Sequence, residues 1–456
     1  MPLTTTDDHD QSLAMPPPAA GPRPGSARHK PSWFRQVRAR RHVQKVKRMH
    51  RRAARRTWFG RHPKSTVLLA VILALTPVWI SLGSAMANPA NGPLGGRFVE
   101  WARDHGGSGI VVWVENWWYS HHAPAKGGKP AAGAIPSASK NPATQKRTTV
   151  PHLPVPAPIV PLASPAIPGE GVWHPAGRLV DGIPAVYDSY LRPDPVHTSV
   201  VDGVMWMDPT LLKATLYSGS QVPGYGPWHD TAPIGPAEAT SVVAAFNSGF
   251  RMNDALGGYY SEGRQVVPLR RGAATAVIYA DGTMNIGAWG TDVTMTPDVV
   301  AARQNLHLLV DHGAPVAGLN ANDTYLWGNT LHGDIYVWRS GVGITANGAI
   351  VYAVGPGLNI TTLADLLVRA GAVRAMELDI NSAWVNAATY DPATPDGVAS
   401  PANATNLVPG MDNGVTRYFG PWYRDFFTMS ARTTPNVTPN AITSTPTSST
   451  SAHQPP

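Results

Sequence analysis

The sequence predicts an α+β protein: a single exported domain built on a mixed, largely antiparallel sheet covered by helices, preceded by one transmembrane helix. Three observations predict this. Residues 65–87 carry no charge, short β-branched runs separated by turn dipeptides fill residues 170–430, and one strongly periodic helix lies among those runs. Because an apolar helix stripe must be buried against another layer, we expect the helix to pack on the sheet.

The predicted transmembrane helix is residues 65–87. About 20 apolar residues, rising 1.5 Å each, span a hydrocarbon core of ~30 Å. Residues 1–64 hold 16 Lys/Arg and three acidic residues, and few charges follow the apolar run. By the positive-inside rule the N terminus is then cytoplasmic. We therefore expect a single-pass protein of the cell membrane with an extracytoplasmic C-terminal domain.

The same segment has a second interpretation. Ala85-Met86-Ala87 has the A-x-A form of a signal-peptidase site. The segment Arg55–Phe59 also loosely resembles a twin-arginine signal. Cleavage after Ala87 would secrete the domain, whereas the long basic leader and the full-length span favour an uncleaved anchor. Both interpretations export the rest of the chain.

Charge and cysteine usage exclude several classes of protein. The net charge is +8, yet residues 65–456 hold only 21 basic residues against 26 acidic ones. The basicity therefore belongs to an arm next to a membrane span, and no nucleic-acid partner is expected. The chain has no cysteine, which excludes a disulfide scaffold, a thiolate zinc site and a cysteine nucleophile.

Composition divides the chain into six segments. They are a basic, disordered cytoplasmic arm (1–64), the transmembrane helix (65–87), a Trp-rich membrane-proximal segment (88–129), a Pro-rich linker (130–169), the main domain (170–430) and a disordered Ser/Thr/Pro-rich tail (431–456). Ten prolines between residues 130 and 168 are typical of a semi-rigid polyproline spacer.

A short helix is expected in the Trp-rich segment, resting either on the membrane surface or on the main domain. The apolar residues at helical spacing are Ile110, Trp113, Val114, Trp117 and Trp118.

Turn chemistry predicts two hairpins in the main domain, because Asp281-Gly282 and Asn347-Gly348 each separate two apolar runs. A helix follows the second hairpin. Thr361 or Thr362 is expected to cap it and Gly371 to end it. Its predicted apolar face consists of Leu363, Leu366, Leu367 and Ala370.

The clearest chemical pattern is the strict alternation over Ala375–Asn381. On a strand, the apolar residues would face the helix and core, and the polar residues would share the other face, about 6.6–6.8 Å apart. The apolar residues are Met376, Leu378 and Ile380, and the polar residues are Glu377, Asp379 and Asn381. A solvated outer sheet face produces the same alternation, so both interpretations stay open.

Cofactor and metal motifs are weak. The segment Gly341–Ala346 fits a loose dinucleotide loop, but a turn and a strand follow it where a helix is required. The sequence contains neither a nucleophile elbow nor an H-E-x-x-H zinc helix. The isolated His229, His312 and His332 favour structural roles. We predict no cofactor and no metal ligand, and a metal requirement is left undetermined.

Several motifs in residues 240–390 resemble, in the same order, those of the phosphodiester glycosidase family. The segment Asn247–Phe250 resembles the family's N-G-G-F-F, and Arg339–Ile344 resembles its R-T-A-I-G-I. Asn347-Gly348 matches the D-G turn of the family, and Thr362–Leu367 matches its T-L-A-x-L-L helix. Together these motifs identify a divergent relative.

The divergence lies at the family's A-L-N-L-D-G-G-G motif. Leu378 and Asp379 are retained, whereas Ile380, Asn381 and Ser382 replace the three glycines. Glycine allows a substrate to approach the backbone closely, so side chains at these positions would narrow or reshape the pocket. The change implies an altered substrate or a loss of cleavage.

The resemblance implies hydrolysis of the bond between a sugar's anomeric carbon and a phosphodiester. Asp379, with Glu377 as a second carboxylate, would activate water or stabilise the oxocarbenium-like centre. Arg339 would bind phosphate, because a guanidinium meets phosphate oxygens in a two-pronged geometry. A strand-end ion pair is the alternative role of Arg339. The other expected substrate-binding residues are Asn247, Gly249, Gly343 and Asn381.

Two function classes follow. The first is a membrane-anchored extracytoplasmic hydrolase that cleaves sugar-1-phosphodiester bonds in cell-envelope or exopolysaccharide glycans. The second is a non-catalytic module of the same fold that binds envelope polysaccharide. The expected partners in both cases are a sugar-phosphate-containing polysaccharide or glycoconjugate, and the membrane.

Overall fold

The computed structural model describes the chain in two compact units, residues 1–79 and 80–456. The described residues are 38, 40–52, 62–88, 94–107, 109–111, 113–114, 117, 124–135 and 150–436, the last range without 225, 320–325, 329–335, 395, 412–413 and 435. His332, Trp118 and the tail beyond residue 436 lie outside them, as do residues 136–149 of the predicted linker.

The basic arm contains a helix, which corrects the expectation of disorder for this part of it. Residues 40–52 are helical. The segment is rich in Arg and Lys, includes Gln and Met, and contains neither Gly nor Pro, a composition that favours helix locally.

The predicted apolar helix is present as α1, Pro63–Ala87. By length and composition it is the one helix among the described residues that can cross a membrane, and none of its apolar window is buried. A signal sequence would pass the same test, so both interpretations of this segment persist. The second helix, α2, is Leu94–Ala102, and the third, α3, is Ile360–Arg369.

The strands of the described residues lie between residues 174 and 431. They are β1 His174–Val180, β2 Ile183–Leu191, β3 Asp202–Met207, β4 Leu212–Tyr217, β5 Val242–Asn247, β6 Tyr259–Ser261, β7 Arg264–Val267, β8 Ala274–Tyr279, β9 Met284–Ala288, β10 Val299–Gln304, β11 Leu308–Asp311, β12 Ala314–Pro315, β13 Val337–Thr345, β14 Ile350–Leu358, β15 Ala372–Glu377, β16 Ala387–Tyr390, β17 Ala404–Asn406 and β18 Phe426–Ala431.

These strands form three sheets rather than one. The strand orders are β1-β2-β3-β14-β13-β15-β11-β12, β7-β6-β10-β8-β9 and β17-β16-β5-β18-β4. Each pairing of named strands is antiparallel. The predicted α+β class and its antiparallel character are confirmed.

Both predicted hairpins are present. Strands β8 and β9 pair across Asp281-Gly282, and β13 and β14 pair across Asn347-Gly348. Gly282 and Gly348 have φ values of 78° and 86°, a conformation that glycine adopts without a Cβ penalty. The two turns therefore form where turn chemistry predicts them.

Helix α3 covers one face of the eight-stranded sheet. Its predicted apolar face is buried in a cluster with residues of β14 and β15, including Val351, Ala353 and Ala375. The helix is followed by Gly371 at φ 95°, as expected. The predicted cap is wrong by two or three residues: Asn359 is the N-cap, and Thr362 completes a capping box with it. Asparagine caps at least as well as threonine, so Asn359 takes the position.

The other face of the eight-stranded sheet packs on the two smaller sheets. A hydrophobic cluster fills the space between them. It includes Met376 and Leu378, together with Phe246 and Tyr352, whose ring centroids are 5.1 Å apart. The expectation that Met376 and Leu378 face the helix is therefore wrong. Both faces of this sheet are buried, so the alternation distinguishes the faces without indicating which one α3 covers.

Part of the predicted spacer packs against the domain. Ile159 and Ala163 are buried, the Ile159 N–H donates to the Gly171 carbonyl (2.8 Å), and Trp173 Nε1 donates to the Ala157 carbonyl (2.9 Å). Residues 150–168 are thus a surface strap and not a free spacer, because two buried side chains and these hydrogen bonds attach the segment to the domain.

The Trp-rich segment begins with α2, which lies N-terminal to the helix predicted around residues 110–118. Arg97 Nη1 donates to the Met86 carbonyl (2.7 Å), so α2 contacts the end of α1. Glu100 of α2 is buried against the main domain. This contact favours docking on the domain over lying on the membrane for residues 94–102.

Candidate active site

The candidate site is built where β15 ends. Glu377 is the last residue of this strand, and Asp379 follows in a turn. One carboxylate oxygen of Asp379 accepts the backbone N–H groups of Ile380 (2.8 Å) and Asn381 (3.1 Å), so the side chain itself shapes the turn.

Ser340 of β13 fixes the backbone of this turn. Its N–H donates to the Asp379 carbonyl (2.9 Å), and its carbonyl accepts the Leu378 N–H (2.8 Å). Its Oγ accepts the Asp379 N–H (3.2 Å). The acidic residue retained from the family motif therefore continues the β13–β15 ladder in a constrained position.

Both predicted catalytic carboxylates are buried, at 0% exposure for Glu377 and 2% for Asp379. A buried unpaired carboxylate is costly, and each of these two has an arginine partner. The interpretation of this segment as a solvated outer face is thereby overturned.

Glu377 pairs with Arg339. Arg339 Nη1 donates to Glu377 Oε1, and Arg339 Nε donates to the Leu358 carbonyl (3.1 Å). Burial raises the pKa of Glu377 to about 7; the charge and hydrogen bond of Arg339 oppose this rise, and the nearby Asp379 adds to it. Arg339 thus forms a buried ion pair between two strands, which is the alternative role expected for it, and its guanidinium is held by Glu377 and the Leu358 carbonyl.

Asp379 pairs with Arg424 and not with Arg339. Arg424 Nη1 lies 2.8 Å from Asp379 Oδ2. Burial raises the pKa of Asp379 to about 6; Arg424 and the two turn N–H groups lower it, and Glu100 raises it. A substantial part of Asp379 is therefore ionised at neutral pH.

Arg424 lies between two carboxylates and an indole ring. Its guanidinium carbon is 4.2 Å from the centroid of Trp384, and its Nη2 is 3.3 Å from Glu100 Oε1. Trp384 Nε1 also donates to Glu100 Oε1 (3.1 Å). The other oxygen of Glu100 lies 3.2 Å from Arg251 Nη1. A carboxylate from α2 is thus buried beside Asp379.

Both polar atoms of the Asn247 side chain bind groups of the protein itself, which favours a structural role over the predicted contact with sugar hydroxyls. Its Oδ1 accepts from the Tyr352 hydroxyl (2.7 Å) and the Asn386 N–H (3.1 Å). Its Nδ2 donates to the Ser248 carbonyl (2.7 Å) and Ser340 Oγ (3.0 Å). An amide offers about this many bonds, so Asn247 is a structural bridge among the sheets.

The two predicted glycines serve packing. A Cβ on Gly249 would lie 2.7 Å from Oδ1 of Asn305, and a Cβ on Gly343 would lie 2.7 Å from Cβ of Ala372. Asn305 donates in turn to the carbonyls of Glu377 (2.9 Å) and Leu378 (3.0 Å). Gly249 therefore supports the site indirectly through Asn305, whereas Gly343 lies inside the sheet.

Asn381 ends the turn. Its Oδ1 accepts the Ala383 N–H (2.9 Å), and its carbonyl accepts the N–H groups of Trp384 (2.8 Å) and Val385 (2.9 Å). The residue that replaces a family glycine thus positions Trp384, which stacks on Arg424.

The sequence interpretation missed Arg424, Arg251 and Glu100. Arg424 lies in Pro-Trp-Tyr-Arg-Asp, a charged pair among aromatic residues in a weakly charged domain. The adjacent Asp425 pairs with Arg303 at 2.6 Å, and both are buried. That context could have identified Arg424 as a candidate site residue. The sequence around Arg251 and Glu100 resembles ordinary surface segments and does not single these two residues out.

No metal cluster is present in the part of the chain that the structure describes, where no group of three or more His, Asp or Glu side chains is arranged to hold an ion. His229 is exposed beside Asp230, and His312 is exposed beside Asp311.

Comparison with known proteins gives one sequence match and several partial structural likenesses. The family model described as phosphodiester glycosidase matches residues 240–382. No curated protein matches the chain. The catalytic domain of zebrafish N-acetylglucosamine-1-phosphodiester alpha-N-acetylglucosaminidase, auto-inhibited by its pro-peptide, is 16% identical, covering 57% of this chain and 88% of its own, with a TM-score of 0.37.

Two bacterial structures are similar in part. A hypothetical protein from Synechocystis is 13% identical, covering 51% of this chain and 59% of its own, with a TM-score of 0.29. A protein of Burkholderia pseudomallei is 14% identical, covering 52% and 75%, with a TM-score of 0.25. The resemblance expected from the ordered motifs is confirmed by the family match over residues 240–382.

Proposed function

We propose that this protein is a membrane-anchored extracytoplasmic hydrolase that cleaves sugar-1-phosphodiester bonds in cell-envelope or exopolysaccharide glycans. The family match over residues 240–382 supports hydrolysis of a phosphodiester glycosidic bond. The apolar helix α1 and the basic residues before it support the anchor. An anchored enzyme outside the cytoplasm would meet envelope glycans as its nearest substrates.

The observation that carries the catalytic proposal is the environment of Asp379. Its carboxylate is buried, is held by two backbone N–H groups and Arg424, and has its pKa raised to about 6. A base with a pKa near the working pH combines the ionised form with useful proton affinity. Perturbed carboxylates of this kind cluster at functional sites.

In the proposed reaction, water attacks the anomeric carbon and Asp379 accepts its proton. The bond between the anomeric carbon and the phosphate oxygen breaks, and its electron pair leaves with a phosphate monoester. This leaving group is already stable as an anion, so the need for a strong general acid is small. Arg424, next to Asp379, is the guanidinium placed to bind the phosphate oxygens.

The proposal is tested by incubating the detergent-solubilised full chain with methyl phosphodiesters of several sugar 1-phosphates. Release of reducing sugar and methyl phosphate from at least one of them is expected. The Asp379→Asn protein is the negative control, and its melting temperature shows whether it is folded. Wild-type protein that binds these diesters but releases no sugar would support the non-catalytic binding module instead.

A further inference from the structure

Helix α2 is attached to the outer end of α1 by side-chain hydrogen bonds as well as by the chain between them. Arg97 Nη1 donates to the Met86 carbonyl (2.7 Å), and Trp101 Nε1 donates to Ser81 Oγ (3.1 Å). The partner on α1 moves back along the chain as the partner on α2 moves forward. Helix α2 therefore folds back beside the last turns of α1.

These contacts place α2 near the outer boundary of the proposed membrane span. Helix α1 has 25 residues and is about 37 Å long, whereas a hydrocarbon core is ~30 Å thick. Ser81 lies about 9 Å before Ala87, the outer end of α1. It is therefore close to the outer edge of the hydrocarbon core, and Trp101 lies at the same depth. Tryptophan at that depth is typical of a membrane interface.

The side of α2 that faces away from the main domain is apolar and exposed. At about 100° per residue, Phe98 and Leu94 lie roughly 160° and 120° around the helix from Glu100. They are 50% and 63% exposed, whereas Glu100 is buried. Further exposed apolar side chains follow α2 in sequence, at Ile110, Trp113, Val114 and Trp117. So many exposed large apolar residues in one short segment mark an interaction surface.

The candidate active site lies on the opposite side of α2 from these apolar residues. Arg424 joins the two, because its Nη1 is 2.8 Å from Asp379 Oδ2 and its Nη2 is 3.3 Å from Glu100 Oε1. One guanidinium and one helix, about 10–12 Å across, therefore separate Asp379 from the apolar side of α2. The headgroup layer of a leaflet is about 5–7 Å thick. With its apolar side on the bilayer, α2 would hold Asp379 just above the lipid headgroups.

We infer that α2 and the exposed apolar residues after it rest on the bilayer surface, and that the substrate is a sugar 1-phosphodiester whose second alcohol is a membrane lipid. The inference rests on the function proposed above and names the acceptor. Water bonds to the anomeric carbon and gives its proton to Asp379. The bond from that carbon to the phosphate oxygen breaks, and its electron pair leaves with the lipid monophosphate. The sugar enters the aqueous phase, and the lipid monophosphate stays in the leaflet.

The first test locates α2 relative to the bilayer and uses the fact that the chain has no cysteine. The full chain carrying Phe98→Cys is labelled with an apolar, environment-sensitive fluorophore, which replaces the lost ring, and is reconstituted into phosphatidylcholine vesicles. Met295→Cys is the matched control. Met295 is 45% exposed, and it follows Asp292, which pairs with Arg374 near the start of β15, at the end away from Asp379.

A lipid that carries a nitroxide on its acyl chain is expected to quench the label at position 98 and to leave the label at position 295 unquenched. Equal quenching at the two positions would overturn the docking of α2 on the bilayer. Absence of quenching at position 98 would overturn it as well.

The second test compares two diesters of one sugar 1-phosphate in the same vesicles, a hexadecyl ester held in the bilayer and a soluble methyl ester. Leu94→Gln/Phe98→Gln removes the apolar side of α2 but keeps α1, so the protein stays at the same surface. It is expected to lower turnover of the hexadecyl ester about tenfold or more, since burial of one such side chain is worth about that factor. Turnover of the methyl ester is expected to change less than about twofold, as for other surface substitutions.

Met295→Gln is the matched control for this second test and is expected to change neither rate. An equal loss of turnover on both esters would overturn the lipid substrate, as would an unchanged rate on the hexadecyl ester. Faster hydrolysis of a soluble glycan with sugar 1-phosphodiester links than of the hexadecyl ester by the wild-type protein would also overturn it.

The inference and the proposed function fail in different ways. Hydrolysis of the methyl ester, with turnover of the hexadecyl ester unaffected by Leu94→Gln/Phe98→Gln, would overturn the inference and leave the function intact. Quenching at position 98 without hydrolysis of either ester would overturn the function and the lipid substrate, and would leave only the docking of α2 on the bilayer.

Discussion

Two of the buried arginine–carboxylate pairs, Arg339–Glu377 and Arg424–Asp379, are close together but are built differently. Arg339 and Glu377 come from adjacent strands, β13 and β15, and Arg339 also donates to a backbone carbonyl at the end of β14. Arg424 and Asp379 come from two loops, and Arg424 has a second carboxylate, Glu100, from a third segment. The Arg339–Glu377 pair is enclosed within the sheet. In the second pair, Arg424 binds Glu100 as well as Asp379.

This difference separates a structural pair from a functional one. A carboxylate enclosed with a single arginine has no room for a ligand, and removing either partner leaves a buried charge. An arginine that already accepts an anion from another part of the chain can exchange that anion for another. The pair at Asp379 is therefore the one where chemistry is expected, and the pair at Glu377 is expected to act mainly on stability.

The largest expected effect is on activity, at Asp379. Asp379→Asn keeps the shape but cannot accept a proton, so turnover of a sugar phosphodiester is expected to fall about 10²–10⁴-fold. Arg424 keeps Glu100 as a partner in this variant, so the loss of stability should be smaller than for Glu377→Gln. Turnover and thermal unfolding of both variants are the measurements. Full turnover by Asp379→Asn would make Asp379 structural.

The next effect is on stability, at Arg339. Because Arg339 is 2% exposed and pairs with Glu377, Arg339→Met is expected to cost about 3–5 kcal/mol in the free energy of unfolding. If the Arg339 side chain were exposed in a cleft, the same substitution would change the free energy of unfolding far less. The control is the double variant Arg339→Met/Glu377→Leu, which replaces both charges and should recover much of the loss. Denaturant unfolding measures both, and equal losses in the single and double variants would contradict a buried pair.

Acidification is expected to affect activity and stability in opposite directions. The Asp379 pKa is raised to about 6, so protonation should reduce turnover about tenfold for each pH unit below that value. The pKa of Glu377 is raised to about 7. Because both values exceed those of the unfolded chain, these two groups contribute most stability below about pH 4 and lose it as pH rises through 6 and 7.

Paired pH profiles of turnover and of unfolding provide the check on this prediction. Glu100→Gln should move the acidic limb of turnover to lower pH, because the charge of Glu100 raises the pKa of Asp379. If the acidic limb of the turnover profile does not shift in Glu100→Gln, Asp379 does not control it. The same conclusion holds if turnover is lost at the pH at which the protein unfolds.

The features predicted correctly from sequence are those set by local chemistry. The hairpins at Asp281-Gly282 and Asn347-Gly348 follow from turn residues, and the apolar face of α3 follows from its period. The alternation over Ala375–Asn381 also predicted a strand there, although β15 ends at Glu377, before Asp379.

The errors in the site arose where distant segments meet. Arg424 is 45 residues from Asp379, and Glu100 is 324 residues from Arg424, so no spacing pattern connects them. Asn247 resembled a substrate ligand because polar residues of a buried bridge and of a binding site look alike in sequence. The alternation around Glu377 failed to locate α3 because both faces of that sheet are buried.

The smallest expected effect is at the cap of α3, and it tests whether the helix side of the sheet is independent of the chemistry. Asn359 accepts the Thr362 N–H (2.8 Å) and follows Leu358, whose carbonyl binds Arg339. Asn359→Ala is expected to cost about 1 kcal/mol of unfolding free energy, within the usual range for a lost N-cap. Asn359→Asp, which caps equally well, is the matched control and should unfold like wild type. Turnover at 25 °C should be unchanged in both, because Asp379 and Arg424 lie on other segments. Turnover that falls with the cap would mean that the Arg339–Glu377 pair controls the site after all, and the separation between the two pairs would then be wrong.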